Sequence, residues 1–322
     1  MKKVFALVVL LSFFVAAVAV AEDQPAAPQP SIAAPSSSDS QIDERFKKAN
    51  EYLSQQHLAI TQSTSDAFVN GYILVAAEGL PKADAISPGQ KRLTAERAAE
   101  VLAYRKLAEF LDGVAVVGDS LVKDAALQYD LVRAAVAGFV KGARVVHKEY
   151  NKEDETALVI MKIGMTGPGS FADALYAKIL KPDVKKELIE QPQQQPPAPQ
   201  YKHKPVPLEE KYDGLVIDAT EQNFRPALIN RLFSQKGEVL YDPSKISQKV
   251  LVEQGCGEYT NSVDKAKAAL DQRGAKNPLI VKASGSVNPS DLQISDDDAV
   301  KIFSANQKAG FFAAAKVAFV LK

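Results

Sequence analysis

The chain has 322 residues, with 39 Lys and Arg against 39 Asp and Glu, so its formal net charge is zero. This balance excludes the strongly basic surface that nucleic-acid-binding proteins use to neutralise phosphates. The single cysteine, Cys256, excludes an internal disulfide, and the length is enough for two domains with ordinary hydrophobic cores.

The N-terminus carries the pattern of a secretory signal peptide. Met1-Lys2-Lys3 is basic, residues 4–18 are apolar, and Ala19-Val20-Ala21 supplies small residues for cleavage after Ala21. The apolar run is too short for a convincing membrane span. We therefore expect a periplasmic or secreted protein whose mature chain has no transmembrane span.

Two polar stretches divide the remaining chain. Residues 22–41 are rich in Pro, Ala and Ser, and residues 190–207 are rich in Pro and Gln. Neither stretch can bury enough apolar surface to offset the entropy of ordering, so both are predicted to be linkers. Because Pro-rich spacers are semi-extended, we expect two separate folded domains, residues 42–189 and residues 208–322.

The first domain is predicted to be a small α+β unit with helices on one side of its strands. Its central helix spans residues 90–111, where Ala99, Ala103, Leu107 and Leu111 fall on one face. The other predicted elements are a helix at 45–56, strands at 71–77 and 114–117, a helix at 126–137 ended by Gly138, a hairpin of strands 140–150 and 156–165, and a helix at 170–180.

The second domain alternates strands and helices, so α/β and α+β arrangements are both compatible with it. Its predicted elements are a strand at 212–219, short strands within 226–240, a helix at 262–272, a strand at 279–283, a helix at 295–307 and a terminal strand at 314–321. The whole chain is thus predicted to be α+β, with two small mixed domains joined by the Pro/Gln-rich linker.

No set of catalytic or metal-binding residues is visible in the sequence. Cys256 lies in the turn-like run 254–257, and a catalytic thiol would need a neighbouring base or a positive field. The three histidines, His57, His147 and His203, lie outside the folded part of the second domain. Cys256 is therefore interpreted as a turn residue. His147 has no His or Cys cluster to complete a metal site.

The acidic residues and the glycines also lack the spacing of known sites. Asp296-Asp297-Asp298 does not match a calcium loop and is typical of a helix start. Residues 138–142 lack the spacing of a phosphate loop and are interpreted as a helix end followed by a bend. An acid–base pair could be drawn from the aspartates near element ends, which are Asp84, Asp112, Asp119 and Asp218. We predict no catalytic, cofactor-binding or metal-binding residues.

The segments 101–114 (VLAYRKLAEFLDGV) and 138–143 (GFVKGA) resemble the LPP-twenty family of small outer-membrane lipoproteins, to which the flagellar protein FlgP belongs. The N-terminal domain of the flagellar assembly protein FlgT is distantly similar. The resemblance covers about residues 68–165 and implies a non-enzymatic envelope protein at the outer membrane, in some members a ring or disk around the flagellar motor. The chain lacks the family's lipobox cysteine, which favours a periplasmic or secreted form.

Three functional hypotheses follow. The first is a non-enzymatic envelope protein with a structural or assembly role, which contacts envelope proteins or self-assembles into an oligomer. The outer membrane and the flagellum are the candidate locations. The second is a periplasmic binding module for a small molecule or a cell-wall component, which would require a polar pocket between the domains. The third, ranked last, is a hydrolase that uses two of the aspartates.

Overall fold

The structure is a computed structural model that describes residues 37–190 and 198–322, with side chains from Phe46 to Ile189 and from residue 198 onward. The predicted signal peptide, the first linker up to residue 36 and residues 191–197 lie outside this description. A boundary between two structural units falls between Arg45 and Phe46, inside the first helix. We call residues 46–190 the N-terminal lobe and residues 198–322 the C-terminal lobe.

The first part of the chain forms helices and strands in the following order: α1 (Ser37–Gln55), α2 (Thr64–Asn70), β1 (Tyr72–Gly79), α3 (Pro88–Asp112), β2 (Ala115–Val117), β3 (Ser120–Leu121), α4 (Val122–Gln128), α5 (Asp130–Val140), β4 (Arg144–Tyr150), β5 (Ala157–Gly164), α6 (Phe171–Ile179) and α7 (Pro182–Lys185). A π-helical turn, Lys186–Glu190, ends this part. Strands β1, β5 and β4 form an antiparallel sheet in that order.

Helix α3 covers one face of this sheet. Its start is fixed by Ser87, whose side chain accepts the Gln90 N–H in a capping box, and by Pro88 at the first helical position. Residues at four-residue spacing, Ala95 to Leu111, are fully buried against β1 and β5. Gly79 lets the end of β1 lie on the helix, because a Cβ there would be 2.2 Å from the Ala99 nitrogen.

The opposite face of the sheet is covered by Ala49 and Leu53 of α1, which pack on Leu74, Leu158 and Ile160. Strand β5 is therefore buried on both faces, in agreement with its nearly continuous apolar sequence. The prediction of helices on one side only was wrong, because β1 and β5 carry apolar side chains on both faces.

Several element boundaries differ from the predictions. The first helix begins at Ser37, so the last residues of the predicted 22–41 linker are helical. The single helix predicted at 126–137 is two helices, α4 and α5, separated at Tyr129. Helix α5 continues through Gly138 to Val140, so Gly138 is not a C-cap.

The C-terminal lobe contains these elements in chain order: β6 (Gly214–Asp218), β7 (Ala227–Ile229), β8 (Leu232–Ser234), β9 (Val239–Tyr241), a 3₁₀ turn (Pro243–Lys245), α8 (Gln248–Gln254), β10 (Glu258–Thr260), α9 (Val263–Gln272), β11 (Pro278–Asn288), β12 (Asp291–Ile294), α10 (Asp296–Ala309) and β13 (Val317–Val320). Its main sheet has the order β10-β13-β6-β11-β12-β8-β9. Helices α2, α8 and strands β10 and β12 were not predicted.

Strand β6 lies inside this sheet, parallel to both β11 and β13. Ala266 and Leu270 of α9 pack on Val216 and Ala318 on one face of the sheet. Helix α10 packs near β6 and β11 and contributes Ile302 to the large core that also contains the opposite face of β6. The fold is α+β, as predicted, with separate antiparallel and mixed sheets.

The two lobes share a sheet and a core. Strand β2 pairs with β7 in parallel, with Ala115 opposite Ala227, and the Tyr176 hydroxyl donates to the Leu228 carbonyl at 2.6 Å. Residues Phe46–Lys322 form one compact unit. The arrangement differs from the expected pair of separate domains, because short strands from both lobes complete each other's backbone hydrogen bonds.

The described end of the second predicted linker also packs on the C-terminal lobe. Tyr201 N–H donates to the Val239 carbonyl at 2.9 Å, and Val206 N–H donates to the Ser304 hydroxyl at 2.9 Å. The first bond lies at the edge of β9, and the second attaches the segment to α10. Across the two described ranges, no helix combines the length and apolar character needed to cross a membrane.

Candidate functional site

A pocket of about 230 Å³ lies where the two lobes meet. The N-terminal lobe contributes Phe68 from α2, Met165 after β5, and Tyr176 from α6 to its lining. The C-terminal lobe contributes the turn Gln254–Glu258 and Tyr259 of β10. The pocket thus exists only because the lobes pack together.

Arg273, at the end of α9, fixes the turn that forms the C-terminal wall of the pocket. Its guanidinium donates to the Gln254 carbonyl at 2.6 Å, the Ala315 carbonyl at 2.8 Å and the Glu258 carboxylate at 2.7 Å. The Arg273 side chain is only 10% exposed. A desolvated Arg with three acceptors holds the turn rigidly and is already charge-paired.

Two glycines give this turn its path. Gly255 has φ +68°, a left-handed conformation that favours glycine. A Cβ on Gly257 would lie 2.8 Å from the Val317 carbonyl oxygen and 2.9 Å from the Phe319 ring. The Gly-Cys-Gly sequence therefore places Cys256 below the pocket surface and against the end of the main sheet.

Cys256 is 2% exposed, and its Sγ lies 2.9 Å from the Tyr259 hydroxyl. That hydroxyl also bonds to the Asn230 side-chain oxygen and to the Ala227 carbonyl. Burial raises the pKa of the Cys256 thiol above its ordinary value. Since the pocket lining includes no histidine, the geometry supports Cys256 as a packed turn residue rather than a nucleophile.

Two further buried tyrosines stabilise this region. The Tyr241 hydroxyl donates to the Cys256 carbonyl at 2.6 Å, and the Tyr176 hydroxyl donates across the lobes to Leu228. Burial raises the pKa of both hydroxyls well above their ordinary value, so they remain neutral donors. The Glu253 and Glu258 carboxylates also line the pocket, and the Glu258 carboxylate is paired with Arg273. The pocket can hold a small ligand through its shape and these polar groups.

The other residues considered in the sequence lie in turns, caps and surface pairs. The His147 ring lies beside the Tyr52 ring, tilted by 38° with the centroids 5.2 Å apart, and its Nε2 is 3.5 Å from the Glu149 carboxylate. The His203 Nδ1 atom is 2.9 Å from the carbonyl oxygen of the next residue, Lys204. His57 lies in the turn after α1, with φ +54°. In the described part of the chain, no group of three or more His, Cys, Asp and Glu side chains could hold a metal ion.

The aspartates have local partners as well. Asp296, Asp297 and Asp298 begin α10, and Asp298 accepts the Ser295 hydroxyl of the N-cap at 2.9 Å. The Asp218 carboxylate accepts the hydroxyl and N–H of Thr220, which lowers its pKa, and Asp84 pairs with Lys82 at 2.9 Å. Asp112 and Asp119 are exposed. This is turn and capping chemistry.

A second surface feature is an ordered loop with apolar side chains, here called the Leu80–Ile86 loop. Lys82 N–H donates to the Thr94 hydroxyl at 3.1 Å, and Ile86 N–H donates to the Gln90 side chain at 3.1 Å. Nevertheless Leu80 is 68% exposed, Ile86 is 90% exposed, and Leu93 on the adjoining turn of α3 is 68% exposed. Sequence reasoning missed this surface, because single aliphatic residues in a loop have no periodicity.

Comparison with known proteins gives one match of limited extent. A family model for the second domain of Treponema pallidum Tp0624 matches residues 214–322, about a third of the chain. This range begins at β6 and covers the C-terminal lobe through β13. No curated protein matches the chain. The C-terminal lobe is therefore similar to a domain that occurs as the second unit of another protein.

Proposed function

We propose that this chain is a non-enzymatic, exported envelope protein with a structural or assembly role, which acts through contacts with envelope proteins or with further copies of itself. The observation that carries this proposal is the Leu80–Ile86 loop, where hydrogen bonds fix the backbone while large aliphatic side chains face solvent. Apolar side chains held rigidly at a surface favour association, because little conformational entropy is lost on binding.

The way the lobes are joined supports a scaffold role. Strands β2 and β7 pair across the lobes, and Tyr176 adds a buried hydrogen bond between them. Lobes joined by a shared sheet and a buried hydrogen bond can hold partners at a fixed separation. In the pocket lining the Cys256 thiol is buried against the Tyr259 hydroxyl, and the Glu258 carboxylate is paired with Arg273. Groups engaged in this way favour a contact function over catalysis.

The sequence patterns support the cell envelope as the location of this proposed function. The signal-like residues 1–21 favour export, and the resemblance of residues 68–165 to the LPP-twenty family makes the outer membrane and the flagellar motor the first places to search. The chain has no lipobox cysteine, so attachment at the outer membrane would be peripheral and would depend on protein contacts.

The test is sedimentation of envelopes from cells that carry the tagged full-length chain, before and after detergent extraction. Co-sedimentation of the chain in a large complex that survives detergent supports an assembly role. Complete release as a soluble monomer contradicts it.

A cysteine cross-link identifies the surface involved. Since Cys256 is buried and is the chain's single cysteine, Ile86→Cys creates one accessible thiol for a cross-linking reagent. The matched control is Leu127→Cys, which replaces an aliphatic residue of α4 that is 77% exposed. We expect cross-linked species in intact cells with Ile86→Cys and not with Leu127→Cys. Equal cross-linking of both variants would show that the loop is not the contact surface.

The inter-lobe pocket favours a second candidate function, a periplasmic binding module for a small molecule or a cell-wall component. A pocket between the lobes was the feature that this hypothesis required. A thermal-shift screen of cell-wall fragments against the full chain would test it, with Val69→Phe as the variant that fills the pocket mouth. A stabilising compound that fails to stabilise Val69→Phe would support the binding function; no stabilising compound would argue against it.

A further inference from the structure

A groove of about 460 Å³ lies on the N-terminal lobe, between the ends of β4 and β5 and the loop Thr166–Ser170. It is separate from the inter-lobe pocket, although Thr166 borders both. Two cationic side chains, Arg144 of β4 and Lys162 of β5, line the groove. Its lining residues include no carboxylate.

The sheet register places the two cations side by side. Arg144 and Lys162 are directly paired in the antiparallel ladder, so their side chains leave the same face with Cβ atoms about 5 Å apart. A bulge between Val145 and His147 produces this pairing. Without the bulge, the register that holds near the turn (His147 opposite Ile160) would continue along the strand. Val145 would then lie opposite Lys162 in place of Arg144. Like charges in directly opposite positions destabilise a sheet.

Neither cation has an ion pair with a carboxylate among the side chains that the structure describes. Lys148 on the same strand shows the contrast, because it bonds to Glu100 at 2.6 Å on the α3 side of the sheet. The Lys162 ammonium instead lies over the Tyr72 ring, 4.5 Å from its centroid. The nearby Asp173 carboxylate is used locally, since it accepts the Gly169 N–H at 2.8 Å.

The space above the cations is open because glycines surround it. Gly142, Gly164 and Gly169 line the groove, and a Cβ added to Gly169 would have no heavy atom within 4 Å. The groove thus presents two adjacent positive charges, an aromatic ring beneath one of them, and room for a small group.

We propose that this groove binds a phosphate group. Two cations on directly paired residues match the charge of a phosphate monoester, which is about −1.5 to −2 at neutral pH. The Arg144 guanidinium can donate to two phosphate oxygens, and the Lys162 ammonium contributes a compact charge at a third. The bound anion would remove the repulsion that the register creates. The phosphate could belong to a soluble phosphate compound or to a phospholipid headgroup.

The first arm of the test is a titration of the ¹⁵N-labelled full chain with inorganic phosphate at low ionic strength in a buffer without other polyvalent anions. We expect saturable amide shifts at Gly142, Gly164 and Gly169. Arg144→Gln and Lys162→Gln should each weaken binding about tenfold or more, the loss expected for a charged hydrogen bond. Arg144→Lys keeps the charge but loses the planar guanidinium, so its affinity for phosphate should lie between those of the Gln variants and that of the unchanged chain.

The matched control is Lys148→Gln, which removes one positive charge from the other face of β4 and should leave phosphate binding unchanged. The second arm measures co-flotation with vesicles of phosphatidylglycerol and phosphatidylcholine against vesicles of phosphatidylcholine alone. Flotation that is lost in Arg144→Gln but kept in Lys148→Gln assigns the phosphate to a lipid headgroup. Amide shifts without flotation assign it to a soluble compound.

The thermal midpoint separates binding from structural effects. Arg144→Gln should not lower the midpoint measured without phosphate, because it removes a repulsion. The proposal is overturned if neither probe binds, if binding is equal in Arg144→Gln and Lys148→Gln, or if Arg144→Gln loses binding only by unfolding.

Discussion

The Arg231–Asp291 pair next to the lobe junction is expected to be one of the costliest single sites in the chain to disrupt. The Asp291 side chain is fully buried, and the Arg231 side chain is 14% exposed. The carboxylate accepts the Arg231 backbone N–H at 3.0 Å, the guanidinium Nε at 3.1 Å and its Nη2, and the Asn288 amide at 2.7 Å. The adjacent Ser290 hydroxyl donates across the lobes to the Gly118 carbonyl at 2.9 Å.

Asp291→Ala removes this acceptor and leaves a nearly buried guanidinium without its counter-charge. Removing one partner of a buried ion pair costs about 3–5 kcal/mol of folding free energy, largely from the uncompensated charge. For a chain of this size, that loss corresponds to a fall in Tm on the order of 10 °C. The assay is thermal and urea unfolding followed by circular dichroism.

A double-mutant cycle with Arg231→Met tests the reasoning directly. The double variant should be more stable than the sum of the two single losses predicts, by about 2 kcal/mol, because it removes both charges. The control is Lys282→Ala, which breaks an exposed pair with Glu221 and should cost less than about 1 kcal/mol. If Asp291→Ala costs no more than Lys282→Ala, or if the cycle shows additive losses, the buried pair does not act as argued.

Three further predictions concern the rest of the fold. Gly79→Ala should lower the free energy of unfolding in urea by about 1–3 kcal/mol, because the new Cβ would meet the backbone of α3. Gly89→Ala, which has open space around it, should be neutral or stabilising. Equal changes in the two variants would contradict this. The hydrogen bond from Lys148 lowers the pKa of Glu100 below its ordinary value of 4.5, so the pair stabilises the fold above that pH and the stabilisation is lost as pH falls through the folded-state pKa. Glu100→Gln should therefore reduce the fall in Tm that accompanies acidification. An equal fall in Tm in the variant and the unchanged chain would refute the link. Cys256 should react with iodoacetamide far more slowly in the native chain than in urea, as followed by mass spectrometry, and rapid native labelling would show that the thiol is accessible.

Local patterns predicted much of the secondary structure. Apolar residues at helical spacing placed Ala99, Ala103, Leu107 and Leu111 on one face of a helix, and all four are fully buried in α3. Residues 156–165 were predicted to be a strand, and β5 spans Ala157–Gly164. Short elements were missed, among them α8 and β12, because a few residues carry too little periodicity to identify.

Long-range pairing left no signal in the sequence. Strand β2 has three residues and pairs with another three-residue strand more than a hundred positions later. The Pro/Gln-rich composition of 190–207 predicted a linker between separate domains. Residues 199–206 instead form hydrogen bonds with β9 and α10. Composition describes how a segment behaves when it is isolated. Here the surface of the C-terminal lobe supplies hydrogen-bond partners for the predicted linker.

The candidate sites depended on similar details. The sequence predicted a hairpin across residues 151–155, but the bulge that sets Arg144 opposite Lys162 has no local signature there. A shift of one residue in register decides which face a side chain occupies. The groove lined by Arg144 and Lys162, here called the basic groove, could therefore not be derived from the hairpin alone. Cys256 was correctly placed in a glycine turn, whereas Arg273, which fixes that turn, gave no sign of its role.

The extent of the Tp0624 match limits what can be transferred to this chain. The matched residues 214–322 include β7, whose partner β2 lies in the other lobe, and one wall of the pocket, whose opposite wall contains Phe68 and Tyr176. A property of the matched domain alone can therefore concern only surfaces that the C-terminal lobe forms by itself, such as the outer side of α9. The inter-lobe pocket, the Leu80–Ile86 loop and the basic groove all require the N-terminal lobe. Any function that depends on them must be tested on the chain in which both lobes are present.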